Sequence, residues 1–490
     1  MTRFGPFFET CFNYILLLLS ACGGSGDCAD RTSCEACLAS PADGCGWCAG
    51  ACTDGNDDGP LGDAFPYCTS WVRDAGQCDR VHGGTKAELR ARGVFRGGDA
   101  PGATLDDSRA AQQKIRQVIV LIQENHSMDN LFGFTAIPGV DSLRNPASPV
   151  PSWTPAPFRL TTACPGDQAH QWNAMHHQWC DGTLVDMPQS GDNAMGFYMD
   201  DDHPFYTSLG AQFGLADRYF CATLGGTWAN RNYLYLGTSQ SIKNTGQHPY
   251  PTAPSIFDAL DSAHVDWAYA SRNPSPATGT SVTGIAEGTL GPRFEPGGSD
   301  FGHIASYASF LADVDAFDPV RSKPIVWFVD GGSGLDEHPE ASGVDTVHPG
   351  ERFVGELIRD HVVKSPGWPA TAVFISYDES GGYLDHVVPP SAAPPDPTQH
   401  EFNYLGFRVP LFVVSPWAVQ GVSHLIHSHT SILRFLEALF DLPALTARDA
   451  NSDALLDMFD FTGVRAVGTT IPLLAPPWSG VSCGVSASSP

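Results

Sequence analysis

Positive charge is scarce in this chain: 27 Lys and Arg stand against 54 Asp and Glu, a formal net charge of −27. That balance argues against broad electrostatic attraction to nucleic acid or to an anionic membrane surface, so any phosphate the protein handles must be caught by local groups. Long apolar runs are scarce too. The run Phe12 to Leu19 falls short of the roughly 20 residues that a spanning helix needs, and no later run comes close. Charged positions of either sign make up only 17% against 42% hydrophobic ones, which excludes a disordered chain and leaves ample apolar surface for a core.

At the N-terminus Arg3 precedes that short apolar run, and Leu19-Ser20-Ala21-Cys22 follows, then Gly23-Gly24. This pattern reads as a signal peptide over residues 1–21. The four residues ending at Cys22 resemble a bacterial lipobox, which implies a lipidated Cys22 as mature N-terminus. The expected address is the bacterial cell envelope, with attachment to a membrane through that lipid, or the exterior if the protein is released.

Eight of the 14 cysteines (Cys28, Cys34, Cys37, Cys45, Cys48, Cys52, Cys68 and Cys78) crowd into one short segment. Such a cluster means disulfide staples or a zinc site, and an export signal weighs toward disulfides. The strings Cys34-Glu35-Ala36-Cys37 and Cys45-Gly46-Trp47-Cys48 with Cys52 resemble the plexin-semaphorin-integrin (PSI) module over residues 28–78. That resemblance implies a spacer or a unit that binds a protein partner, without catalytic chemistry. Cys164, Cys180, Cys221 and Cys483 are scattered and cannot be paired from their spacing.

Residues 79–112 are rich in Gly, Ala, Arg and Asp, lack sustained apolar periodicity and read as a linker. From 113 to 470 short apolar runs recur: Val118–Ile122, Ile325–Val329, Val373–Tyr377 and Leu411–Ser415. Runs rich in β-branched and aromatic residues suit strands buried on both faces. Helical patterns such as Phe353–Val363 and Ser431–Phe440 lie between or after them. The expected fold is α/β, a mostly parallel central sheet flanked by helices, with residues 471–490 as a tail.

In open α/β sheets ligands bind beyond the carboxyl ends of the strands. Two of the runs end in acid there: one leads into Glu124-Asn125-His126-Ser127-Met128-Asp129-Asn130, the other into Asp378-Glu379-Ser380-Gly381-Gly382. Carboxylate and amide oxygens from neighbouring strand ends make a hard site for a divalent cation, of an identity that the ligand types leave open. A third segment, Gly225-Gly226-Thr227-Trp228-Ala229-Asn230-Arg231, supplies a hydroxyl. Its glycines allow close backbone approach and the next residues open a helix whose free amides favour an anion. Thr227 is the candidate nucleophile, and Asn230 and Arg231 are candidates to hold phosphoryl oxygens. Asp200-Asp201-Asp202 lacks a spaced ligand pattern and reads as a solvated loop.

These segments occur in an order that resembles the phosphoesterase family of bacterial phospholipases C and acid phosphatases, within the alkaline phosphatase superfamily. The likeness runs from Glu124-Asn125 through Leu131-Phe132-Gly133, His170 with Trp172, and Asp217-Arg218-Tyr219-Phe220 to Arg231. It continues through Glu337-His338-Pro339, Tyr377-Asp378-Glu379 with Asp385-His386, Arg408-Val409-Pro410 and His429-Thr430-Ser431. It implies a metal held by Glu124, Asn125, Asp378 and Glu379, with Thr227 beside it. It also implies that His170 and His338 face the phosphoryl group, donating to its oxygens or protonating the leaving alcohol. His386, His429 and the pair His176-His177 read as structural histidines. The expected activity is hydrolysis of a phosphodiester such as a phospholipid head group through a phospho-Thr227 intermediate. The alternatives are a phosphomonoesterase and a catalytically dead surface-binding protein.

Overall fold

Seven consecutive residues, Gln117–Gln123, are all buried, as are Thr371–Tyr377, and two such runs can only lie in the middle of a sheet covered on both faces. The computed structural model describes residues 105–462 except 273–289, 333, 340–344 and 396–398, together with short strands at Cys45–Cys48, Ala51–Asn56 and Gly59–Pro60. The signal peptide, Cys22, most of the linker and the tail lie outside the described residues. Of the cysteine-dense segment, only the pairing of its three short strands is described.

Eight strands form the main sheet: β1 (Gln117–Gln123), β2 (Gly214–Ala216), β3 (Asp266–Ser271), β4 (Ile304–Ser306), β5 (Ile325–Asp330), β6 (Thr371–Tyr377), β7 (Leu411–Val414) and β8 (Gly421–Ser423). Their spatial order is β4-β3-β5-β1-β6-β7-β2-β8. Every neighbouring pair is parallel except the two that involve β7, so the sheet is mostly parallel, as expected. Successive residues of a strand face opposite sides. Along β5, Trp327 meets Phe310 from the helix Tyr307–Ala316, while Phe328 meets Tyr235 from another helix. Helices therefore cover both faces, and the apolar core lies on either side of β5, β1 and β6.

Four helices matter below: α1 (Leu105–Lys114), α2 (Met128–Phe132), α3 (Thr227–Leu236) and α4 (His429–Phe440). Of these, α1 spans the boundary expected between linker and domain. It begins inside the stretch read as linker and docks on the domain, with Ala111 buried and Gln112 Nε2 donating to the Ala438 carbonyl at 2.8 Å. The Asp200–Asp202 loop also departs from expectation. Asp202 is buried and takes a charged pair from Arg159 at 2.8 Å, so this acid latches a loop instead of facing solvent. Cys180 and Cys221 are free thiols.

Candidate active site

The register of the parallel strands brings the two acidic segments together. Tyr377 at the end of β6 lies opposite Gln123 at the end of β1, so Asp378-Glu379 and Glu124-Asn125 leave the sheet side by side. The Asp378 amide donates to the Gln123 carbonyl at 3.0 Å, and Asp378 Oδ1 accepts from the Glu379 amide at 2.8 Å. Beyond β1 the chain turns at once: Asn125 takes a left-handed φ of 68°, which Asn tolerates better than most residues. Ser127 then caps α2 by accepting from the Asn130 amide, and its hydroxyl donates to the Leu384 carbonyl at 2.6 Å. Opposite, Gly381 has a φ of +61°, and a Cβ there would lie 2.2 Å from the Asn125 carbonyl oxygen. Only glycine lets the two turns pack this closely.

Thr227 opens α3. Its Oγ1 donates to Glu379 Oε1 at 3.0 Å, and Gly226 ahead of it lies against Gln171. The structure therefore brings Glu124, Asn125, Asp378, Glu379 and Thr227 into one cluster. Arg231, one turn along α3, is wholly buried among carboxylates, with Glu124 at 3.1 Å, Asp378 at 3.1 Å and Asp330 at 3.5 Å. Asn230 does not face the site. It donates to the Gly225 carbonyl at 2.7 Å and accepts from the Thr223 amide at 2.9 Å, stapling the glycine turn, which corrects its expected role on a phosphoryl group.

His170 Nε2 lies 3.6 Å from Glu379 Oε1, while its Nδ1 is held by the Gln168 carbonyl at 2.7 Å and by Asp167 at 3.2 Å. Burial disfavours the imidazolium, but Glu379 and Asp167 outweigh it and hold the pKa up at about 10. The half-buried His338 sits with its ring centroid 6.1 Å from that of His170. Two of the histidines read as structural are held inside the fold. His429 Nε2 bonds the Asp378 carbonyl at 2.7 Å, and His386 lies between Asp129 at 2.6 Å and Asp141 at 3.1 Å.

Burial and mutual repulsion push the acids up, Glu379 to about 8 and Glu124 well above its ordinary value. Asp336 nearby is pushed to about 7 by burial and by Asp330. Two groups stand out: Asn125 Oδ1 and Nδ2 and Glu379 Oε2 are buried without a hydrogen-bond partner. Orphaned buried oxygens beside an excess of carboxylate are what a hard divalent cation satisfies, so the residues fit one. Asp330 belongs to this cluster although the sequence reading passed over it. It ends β5 as Asp378 follows β6, and that same position at a strand end was the signal for it.

The model of the Phosphoesterase family matches residues 115–443, and that of the plexin repeat matches residues 27–79. Among characterised proteins the chain is similar to Phospholipase C B of Mycobacterium tuberculosis, 29% identical over 414 residues, covering 71% of this chain and 78% of that protein. It is also similar to Non-specific phospholipase C1 of Arabidopsis thaliana, 27% identical over 394 residues, covering 69% of this chain and 70% of the other. With Non-hemolytic phospholipase C of Pseudomonas aeruginosa it shares 25% identity over 379 residues, 66% of this chain and 54% of that protein.

Proposed function

The chain belongs to the Phosphoesterase family, and on that premise we propose that it is an exported, metal-dependent phosphodiesterase of the phospholipase C class that works through phospho-Thr227. It is a hydrolase of phosphoester bonds. The observation that carries the finer reading is the pair of unpartnered buried groups, Asn125 and Glu379, next to the Thr227 hydroxyl. The names of the relatives favour a phospholipid diester as substrate.

Glu124, Asn125, Asp378 and Glu379 are the residues that would hold the cation. When bound, a divalent cation supplies Lewis acidity that lowers the cost of a Thr227 alkoxide and draws charge from phosphoryl oxygens. Thr227 Oγ1 passes its proton to Glu379 Oε1, which already accepts its hydrogen bond, and attacks phosphorus, forming the Thr227 O–P bond as the bond to the leaving alcohol breaks in line; Glu379 returns the proton when water cleaves the phospho-threonine. The free amides at the start of α3 favour the phosphoryl anion. His170 offers positive charge to its oxygens. His338, at the rim, is the donor of the proton that the leaving alcohol needs, and afterwards accepts one from the water that hydrolyses the phospho-threonine. Export rests on the Phe12–Leu19 run and the Leu19-Ser20-Ala21-Cys22 string.

The test is turnover of phosphatidylcholine, a chromogenic phosphodiester and its monoester by the purified protein, with metal content measured alongside. Folded Thr227→Ala should lose on the order of 10⁴ in rate, and Thr227→Ser should keep part of it, because the hydroxyl survives. Asp378→Ala should lose metal and activity together. Wild-type turnover by Thr227→Ala refutes the nucleophile. Preference for the monoester makes the protein a phosphatase, and no turnover of any ester with added metal leaves a binding protein.

A further inference from the structure

Glu337 is wholly buried, and its carboxylate is shut off from solvent. Its Oε1 accepts from the Tyr206 hydroxyl at 2.5 Å and from Gln123 Nε2 at 3.0 Å, and its Oε2 accepts from the Tyr377 hydroxyl at 2.6 Å. Gln123 ends β1 and immediately precedes Glu124-Asn125. Tyr377 ends β6 and precedes Asp378-Glu379. Glu337 itself precedes His338. One carboxylate thus ties together three of the segments that carry the site.

The backbone repeats the pattern. Gln123 Nε2 also reaches the Leu335 carbonyl at 3.0 Å, the Glu124 amide donates to the Asp336 carbonyl at 2.7 Å, and His126 Nε2 lies 3.2 Å from the Glu337 carbonyl. Glu337 has a left-handed φ of 70°, which is unfavourable for a residue with a Cβ and persists only where the surroundings hold it. Gly350 makes the room: a Cβ there would lie 2.1 Å from Glu337 Cγ. A buried carboxylate is expensive to desolvate, and an apolar side chain would fill the space at less cost. Three donors from three separate segments point to what the carboxylate is kept for.

We propose that Glu337 is a positioning residue, whose carboxylate fixes the strand ends bearing Glu124-Asn125 and Asp378-Glu379 relative to the loop bearing His338. The proposal rests on the phosphoesterase reading above. The test uses the full-length protein with Mn²⁺ as probe, measuring kcat and KM on a chromogenic phosphodiester, Mn²⁺ affinity by competition with a chelator, and thermal unfolding. Glu337→Ala should lower kcat about 10- to 100-fold, the scale of a misplacement near 1 Å, with KM within about twofold, and should weaken Mn²⁺ binding about tenfold. Glu337→Gln, which keeps size and one acceptor oxygen, should recover most of both. Tyr377→Phe should cost less on top of Glu337→Ala than alone, because the hydroxyl has then lost its acceptor.

Gly350→Ala displaces Glu337 without altering its carboxylate and should reproduce the kcat loss. It decides the matter together with Tyr206→Phe if Glu337→Ala does not fold. A purely structural role lowers the unfolding temperature but leaves kcat per folded molecule and Mn²⁺ affinity unchanged, and that result overturns the proposal. If the wild-type protein hydrolyses no ester, the phosphoesterase reading fails separately, and the Mn²⁺ affinities of the same variants still decide on Glu337.

Discussion

At pH 6 the buried imidazole of His386 carries a charge that two neighbouring carboxylates stabilise in the folded protein. Burial alone would pull its pKa down, but Asp129 at 2.6 Å and Asp141 at 3.1 Å hold it at about 9. A group whose folded pKa is raised stabilises the fold fully below its unfolded value, near 6.5, and loses that contribution as pH rises through its folded value. At about 1.4 kcal/mol per pH unit, the interval from 6.5 to about 9 corresponds to roughly 3 kcal/mol, present at pH 6 and gone by about pH 10. Asp129 and Asp141, held below their ordinary range by His386 and Arg408 in spite of burial, stay ionised throughout that window.

The perturbation is His386→Gln, which keeps a hydrogen-bonding side chain of similar length but cannot become charged. Chemical unfolding of wild type and variant at pH 6 and pH 10 gives two stability gaps, and their difference cancels every other group that titrates alike in both proteins. The gap should be about 3 kcal/mol larger at pH 6 than at pH 10. A gap that is flat with pH, or that widens in alkali, would mean that His386 is neutral in the folded protein and that the two carboxylates are not what orders it.

Two further outcomes follow from the geometry and the sequence. Gly381→Ala should lower turnover at least about tenfold at unchanged expression, since its Cβ would force the Asn125 turn to move; a folded variant with wild-type rate would show that the two turns need not pack this closely. Mass spectrometry of the mature protein should find its N-terminus at a lipidated Cys22, and a start elsewhere, or an unmodified Cys22, ends the lipoprotein reading while leaving export open.

The central strands were legible because each is an unbroken apolar run: β1, β5, β6 and β7 each lie within a residue or two of the run that marks them. β3 was not, because Asp-Trp-Ala-Tyr-Ala-Ser has no β-branched residue, and β2, β4 and β8 have three residues each, too few for any period to appear. The acids at the ends of β1 and β6 were legible as strand-end residues. Glu337 as a hub was not. Its partners Tyr206, Gln123 and Tyr377 are far away in sequence, and nothing local marks a glutamate as fully buried. Asn230 illustrates the opposite failure: its place one turn into α3 suggested a phosphoryl contact, but the adjacent glycine turn has backbone groups of its own to satisfy and takes the side chain.

The turns that follow β1 and β6 carry two clusters of acids, and their charge balance differs. In the lower cluster Asp129, Asp141 and Asp385 are met by Arg408, Arg218 and the imidazolium of His386, so carboxylates and cations pair one to one. Asp129, Asp385 and His386 lie close enough to share an ion, but Arg408 already bonds both carboxylates, at 3.0 and 2.8 Å. In the upper cluster Glu124, Asp330, Asp336, Asp378 and Glu379 face Arg231 and a His170 that is shared with Asp167, so among the described residues carboxylates outnumber cations at full ionisation. Unmatched carboxylates away from water either bind protons or bind a cation. The raised pKa values of Glu124 and Glu379 express the first course, and a divalent cation is the second. The same two turns are joined by Ser127 to Leu384 and by Asp129 to His386, so the neutral lower cluster braces the geometry in which the upper one stays short of positive charge.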